Sequence, residues 1–303
     1  SCLVVLLGLE GIAFFTSIPL LQVSIIGIGL GGGILNGETN ALVADISNEA
    51  EKGSRLSLLG AFYGIGALGI PVLLSFLSEY YSFEIILQGT GMVMLIGILF
   101  CLGIRFPAPK QPQGFPIKEG LGLLKESSLL LLSFILFFQS GIEGVCNNWT
   151  TLYLGQTTGI PENRALIALT CMVAGLTVAR LLLVVLFKKI KQETVLRTSL
   201  ITAVAGFALL TFAPGFARAA IGMALIGAGL ASTFPVILSI IGSRYASLSG
   251  TAFSVALVIA LIGQTLLNSL TGIISQGYGI VVYPYMMIVS LLIMLLLFKR
   301  SLK

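Results

Sequence analysis

The sequence contains no histidine and few charged residues. Of its 303 residues, only 10% are charged, whereas a soluble domain carries about 25%. So few charged side chains cannot cover the surface of a globular protein of this size. The absence of histidine also removes the commonest general base and metal ligand. The composition therefore excludes an ordinary soluble protein and argues against histidine-dependent enzymes and metal sites.

Other chemical signatures are also absent. The four cysteines lie far apart and form no CxxC pair, so we interpret them as apolar core residues. The chain contains no P-loop, GxSxG or HExxH motif. Its net charge of +5 comes from cations scattered between apolar stretches, which is unlike a phosphate-binding patch. We expect neither an enzyme nor a nucleic-acid-binding protein, and no cofactor or metal.

Long apolar runs make up most of the chain, which is 56% hydrophobic. A membrane-spanning helix needs about 20 mostly apolar residues. The hydropathy pattern predicts an all-α membrane protein with ten spans, at residues 2–18, 20–46, 56–77, 84–105, 128–154, 165–187, 198–214, 219–243, 251–275 and 284–299. Only Ser17, Ile18 and Pro19 separate the first two.

One polar, proline-rich segment divides the chain. We predict an incomplete N-terminal half at 1–106, a cytoplasmic linker at 107–127 and a C-terminal half at 128–303. The connections on the side of the linker hold fourteen Lys and Arg residues, and the opposite connections hold two, Arg164 and Arg218. By the positive-inside rule, the linker and the C-terminus are cytoplasmic. We expect a bacterial inner-membrane protein.

Glycine residues recur at corresponding positions in the two halves of the chain. Gly27, Gly29 and Leu30 match Gly227, Gly229 and Leu230, and further pairs are Gly53 with Gly250 and Gly66 with Gly263. Such internal repeats are typical of secondary transporters. Four predicted spans precede the linker and six follow it, so we expect that two spans are missing from the front.

A carboxylate within an apolar span marks a functional site by default, because its charge is costly in hydrocarbon. Glu38 lies about ten residues from the end of the span 20–46, between Asn36 and Asn40, which share a helix face. A carboxyl group in low-dielectric surroundings takes up a proton more readily than in water. Glu38 is therefore a candidate for proton coupling, and a structural role for it stays open.

The span 128–154 carries a polar stripe. Gln139, Glu143, Asn147 and Thr151 recur every four residues, and the stripe predicts a proton-coupling role for Glu143 and solute contacts for Gln139 and Asn147. Trp149, the only tryptophan, fits either a plate for a sugar ring or an interfacial anchor.

Weaker candidates for the cavity wall come from two later spans. Thr233, between Ser232 and Pro235, and Gln264, one turn before Asn268, are predicted to contact solute. Hydroxyl and amide side chains also join helices in membranes. That structural role is equally open for both residues.

Several motifs together resemble the major facilitator superfamily. They are LNGETNALVADI, GAFYGIGALGIP, SGIEGVCNNWTTLYL, STFPVILSIIGSRY and SGTAFSV. More narrowly, they are similar to the fucose–proton symporter (sugar permease) branch. The resemblance implies a two-half helical bundle in which this chain supplies helices three to twelve. The family's first helix, which carries an acidic residue proposed for proton coupling, and its second helix have no counterpart here. Tyr63 replaces an Asn of the sugar-transporting relative.

The resemblance also suggests roles for three other charged residues. Arg180 is similar to the arginine near the inner end of the family's eighth helix, which implies a gate or conformational role. Asp45 stands where the family pairs an acidic residue with a loop that has no counterpart here, so the sequence leaves open whether it pairs with Lys52, with Arg55 or with neither cation. The role of Glu10 is left open.

These observations predict a secondary active transporter that imports a sugar-like solute with protons by alternating access. Its expected partners are the solute, protons and the lipid bilayer, and we expect a monomer when the protein is full length. One alternative is a proton-driven exporter of amphipathic compounds, for which Phe137, Phe138 and Tyr63 would form an aromatic pocket. Another is a membrane sensor that binds a solute without transporting it.

Overall fold

The structure is a computed structural model that describes residues 1–107, 122–212 and 215–301, so most of the predicted linker 107–127 lies outside the described residues. Eleven α-helices account for most of the described chain. They are α1 Cys2–Phe14, α2 Ile18–Asp45, α3 Lys52–Leu77, α4 Phe83–Gly103, α5 Ser127–Thr158, α6 Glu162–Leu186, α7 Gln192–Phe212, α8 Phe216–Leu230, α9 Thr233–Arg244, α10 Ser249–Tyr278 and α11 Tyr283–Ser301.

Eight stretches of the described chain are long and apolar enough to cross a membrane. This confirms the prediction of an all-α membrane protein. The predicted span 2–18 corresponds to α1, which has 13 residues and is about 20 Å long at 1.5 Å per residue. It is therefore shorter than the roughly 30 Å of hydrocarbon that a spanning helix crosses. The predicted span 56–77 corresponds to α3, which has 26 residues.

The predicted span 219–243 is two helices, α8 and α9, with a break at Ala231 and Ser232. Pro235 explains the break, because proline has no N–H and its ring clashes with the carbonyl four residues earlier. That carbonyl belongs to Ala231. Pro235 itself lies in the first turn of α9, where a missing N–H leaves no helical hydrogen bond unmade.

The described residues fall into two compact units. The first is drawn from Ser1–Asn40 and Gly69–Gly114, and the second from Ala41–Leu68 and Phe115–Lys303. In the first unit, α1 packs against α4, and the Glu10 carboxylate lies against Gly91. The predicted division of the chain at 107–127 stays a prediction.

The core of the second unit is built around α5. This helix packs along α10 and against α11, while α8 packs between α6 and α7. The fully buried side chains of α5 include Leu132, Ile135 and Ile142. Large apolar side chains such as Leu182 and Val185 are exposed, as expected for faces that meet lipid.

Close contacts between helices in the second unit depend on glycine. A Cβ at Gly227 of α8 would collide with the backbone of Met172 in α6, and one at Gly263 of α10 would collide with the backbone of Phe137 in α5. Within a membrane, dispersion contacts between closely approaching backbones hold helices together. The glycines therefore fix how near α6 and α10 come to their neighbours.

Candidate functional site

The polar stripe predicted on α5 runs from buried to exposed surroundings. Gln139 has no exposed surface, Glu143 is half-buried, and Asn147 is exposed. Gln139 Nε2 donates a 3.1 Å hydrogen bond to the carbonyl of Leu230. Because α8 ends at Leu230, that carbonyl has no regular helical partner. The amide of Gln139 therefore stabilises the break between α8 and α9.

Glu143 and Arg180 form the charged part of the site. The Glu143 carboxylate lies one helical turn from Gln139 and interacts electrostatically with the Arg180 guanidinium. Arg180, on α6, is 6% exposed, and its Nη1 donates a 3.0 Å hydrogen bond to the carbonyl of Gly60 on α3. The guanidinium thus contacts the backbone of α3 and interacts electrostatically with a carboxylate on α5.

Two serines of α3 strengthen its contact with α6. Ser57 Oγ donates to the carbonyl of Arg180 at 2.7 Å, and Ser54 Oγ donates to the carbonyl of Val184 at 2.8 Å. Gly60 leaves room for the Arg180 side chain, whose Cδ lies 3.0 Å from the place of a Cβ at Gly60. The sequence reasoning missed both serines. Their three-residue spacing on one helix face was the available signal.

Several buried polar atoms of the second unit have unused hydrogen-bonding capacity. Gln139 Oε1, Arg180 Nε, Ser232 Oγ and Thr233 Oγ1 meet no hydrogen-bond partner in the described part of the chain. A buried polar group without a partner costs about 1–3 kcal/mol. These atoms are therefore suited to bind a hydroxyl-bearing solute or water, and the predicted Thr233 is among them.

Trp149 is held in place by α10. The Oδ1 atom of Asn268 accepts hydrogen bonds from Trp149 Nε1 at 3.2 Å and from Asn148 Nδ2 at 2.9 Å. A Cβ at Gly272 would lie 3.4 Å from the indole ring. The predicted Gln264 is exposed and packs beside Gly144. Asn268 thus fixes the orientation of the half-buried indole, a role that its sequence position alone did not reveal.

The other predicted proton-coupling residue, Glu38, lies in the first unit. Its exposed carboxylate accepts a 2.9 Å hydrogen bond from Ser1 Oγ. Asn40 Nδ2 donates to the carbonyl of Asn36 at 2.8 Å and to its side-chain oxygen at 2.9 Å. The predicted shared face of Asn36 and Asn40 is therefore present. Glu143, Gln139 and Arg180 belong to the second unit.

Asp45 accepts a 2.8 Å hydrogen bond from Ser249 Oγ. The two cations that we considered as its partners form other ion pairs: Lys52 with Glu49 at 2.7 Å and Arg55 with Glu51 at 2.7 Å. Lys52 is only 3% exposed.

A second contact joins the start of α3 to α9. Lys52 Nζ bonds Ser243 Oγ at 3.0 Å, and Ser243 Oγ also bonds the Glu49 carboxylate. The region around the start of α3 thus makes polar contacts with α6, α9 and α10.

Solved structures with a similar fold are membrane transporters. A crystal structure of the E. coli fucose:proton symporter FucP superposes with a TM-score of 0.82 at 19% identity, covering 99% of this chain and 82% of that one. The same transporter in an outward conformation superposes with a TM-score of 0.81 at 19% identity, covering 99% of this chain and 81% of that one. The human organic anion transporter MFSD10 (TETRAN) superposes with a TM-score of 0.76 at 14% identity, covering 98% of this chain and 75% of that one.

Sequence comparison points the same way. An uncharacterized transporter, y4wD of Sinorhizobium fredii, is 22% identical over 280 residues, which cover 90% of this chain and 72% of the relative. The model of the Major Facilitator Superfamily matches residues 1–266. The chain therefore belongs to the major facilitator superfamily of membrane transporters.

Proposed function

We propose that this transporter imports a sugar-like solute together with protons. The observation that carries the proposal is the Gln139–Glu143–Arg180 cluster, where a carboxylate lies beside buried polar atoms whose hydrogen-bonding capacity is unused. Charged groups within membrane helices mark substrate and proton pathways. The similarity to the fucose:proton symporter supports the same chemistry.

Proton coupling requires that protonation change the contacts of a moving element. When Glu143 is ionised, its negative charge compensates the guanidinium of Arg180; protonation removes that compensation. Arg180 also holds the carbonyl of Gly60 on α3. Loading a proton on Glu143 therefore changes the electrostatic balance at the contact between α3 and α6, which is the type of link that alternating access needs.

The remaining polar groups suit a neutral, hydroxyl-rich solute. Gln139 and Thr233 offer buried amide and hydroxyl oxygens, and Asn147 and Gln264 offer exposed amides. The indole of Trp149, held by Asn268, supplies a flat face for the C–H groups of a sugar ring. Sites of this kind combine apolar walls with a few placed polar groups.

The test is transport by the protein, expressed from its complete gene, in proteoliposomes with an imposed inward proton gradient. We expect Glu143→Gln to lower gradient-driven accumulation of a neutral sugar at least tenfold, because the amide cannot carry a proton. Counterflow exchange should persist. Glu38→Gln tests the second carboxylate in the same way. Glu162→Gln, at an exposed site in the first turn of α6, is the control and should transport normally.

The proposal that these residues couple protons to transport would be wrong if both Glu143→Gln and Glu38→Gln kept the gradient-driven accumulation and pH dependence of the unmodified protein. Loss of exchange as well as accumulation would assign the carboxylate to solute binding instead. If the unmodified protein takes up no neutral sugar, the proposed substrate class is wrong. The test of proton coupling can then be repeated with another solute.

A second candidate is an exporter of amphipathic ions. It is favoured by the aromatic cluster on α5, where ring centroids lie 5.6 Å apart in Phe134–Phe137 and 5.2 Å apart in Phe137–Phe138. A solved neighbour is named as an organic anion transporter. Competition between neutral sugars, organic anions and cationic dyes in the same vesicles separates the two functions.

A further inference from the structure

A groove between α7 and α11 combines two cations with a wall of leucines. The cavity has a volume of about 580 Å³ and is lined by Arg197, Lys299, Leu292, Leu295 and Leu296. Arg197 lies in the second turn of α7, and Lys299 lies in the last turn of α11. Because both side chains line one cavity, the start of α7 and the end of α11 lie at the same end of the second unit.

The two cations have no charge partner in the part of the chain that the structure describes. Both side chains are exposed, and neither forms an ion pair with any of the described carboxylates. Their positive charge is thus available to an outside group. The leucines lie on the adjoining face of α11, and Leu292 and Leu296 are 48% and 63% exposed.

We propose that this groove binds an anionic phospholipid, with the headgroup phosphate between Arg197 and Lys299 and an acyl chain along the leucines. Because the groove is formed by the start of α7 and the end of α11, two helices long and apolar enough to span a membrane, we expect it at the membrane boundary, which is the depth of lipid phosphates. Basic pockets between spanning helices bind anionic headgroups. A zwitterionic lipid is disfavoured, because its own ammonium group would approach two cations. This site is independent of the proposed transport function.

The test compares binding of phosphatidylglycerol and phosphatidylcholine to the purified protein by native mass spectrometry. At about 1 kcal/mol, or roughly fivefold, per cation near a lipid surface, the double variant Arg197→Gln with Lys299→Gln should lose about 25-fold in affinity for phosphatidylglycerol. The matched control removes two charges from the turn between α6 and α7, by Lys188→Gln with Lys189→Gln, and should change affinity less than threefold.

Each outcome decides the proposal. Equal loss in the control would overturn it in favour of general surface charge, and equal binding of phosphatidylcholine would overturn the headgroup selectivity. Competition by inorganic phosphate at the affinity of the lipid would overturn the role of the acyl chain. If the double variant fails to fold, Leu296→Glu takes its place. That change puts a carboxylate in the groove, and undiminished phosphatidylglycerol binding by it would refute the site.

Discussion

At the scale of single residues, Arg180 is the unusual side chain. It is 6% exposed and donates to a backbone carbonyl of α3, and it forms no ion pair with a described carboxylate, although Glu143 interacts with it electrostatically. An uncompensated charge in the interior is strongly destabilising, whereas removing both members of a buried pair is often tolerated. The two residues should therefore depend on each other.

A double-mutant cycle tests this dependence. Arg180→Gln leaves Glu143 without its compensating charge and should lower the melting temperature; Glu143→Gln combined with it should recover part of the loss. We expect a coupling of roughly 1–3 kcal/mol between the two sites, measured by thermal unfolding in detergent. Arg180→Gln with Glu162→Gln is the matched cycle and should be additive. Additivity in the first cycle as well would show that the pair is not coupled.

The sequence could predict the stripe on α5 because its spacing is a property of one helix. It singled out Glu143, Gln139 and Arg180, but it could not place Arg180 near Glu143, since this depends on how α5 and α6 pack. The backbone partner of Arg180 was equally invisible. A carbonyl acceptor such as that of Gly60 leaves no signature in residue types.

At the scale of helices, glycines that match in sequence have different surroundings. A Cβ at Gly27 would meet its nearest neighbour, the carbonyl of Val4, at 3.8 Å, which is ordinary contact, whereas one at Gly227 would collide with Met172. Gly29 faces open space, and its counterpart Gly229 packs on Ala203. The repeated pattern thus indicates which segments correspond, but it does not tell which glycines hold helices together.

Gly227→Ala should consequently destabilise the protein. Inserting one methyl group between α6 and α8 forces their backbones apart, and overpacking of this kind costs about 1–3 kcal/mol. Gly277→Ala, near the end of α10 where a Cβ meets nothing within 4 Å, is the matched control and should be neutral or slightly stabilising. Thermal unfolding of both variants measures the difference. An equal response would mean that α6 and α8 pack less closely than described.

At the scale of the whole molecule, the helical membrane fold followed from composition and hydropathy, because a membrane imposes both on the chain, whereas the family was indicated by the resemblance of motifs. The orientation of the fold in the membrane is predicted only from the distribution of Lys and Arg residues. The two ends of α6 differ: Arg164 lies in its first turn, whereas the connection after α6 contains Lys188, Lys189 and Lys191. This asymmetry predicts that the connection after α6 is cytoplasmic.

Labelling of single cysteines checks this topology. In a background where the four native cysteines are replaced by serine, Arg164→Cys should react with an impermeant maleimide added outside intact cells. Lys189→Cys should react only after the membrane is opened, because α6 separates the two positions. The reverse pattern would invert the predicted orientation, and labelling of both from outside would remove α6 from the set of spanning helices.

The interruption at Ala231 and Ser232 also has a mechanical consequence. A continuous rod of 29 residues would transmit any tilt along its full length. We expect the interruption instead to let α9, a 12-residue helix about 18 Å long, change its angle to α8, while α8 stays packed against α6 at Gly227. Ser243, near the C-terminal end of α9, is hydrogen-bonded to Lys52 at the start of α3. We expect a displacement of α3 to reach α9 through this hydrogen bond and to change the angle at Ala231 and Ser232, close to where Gln139 donates to the last carbonyl of α8.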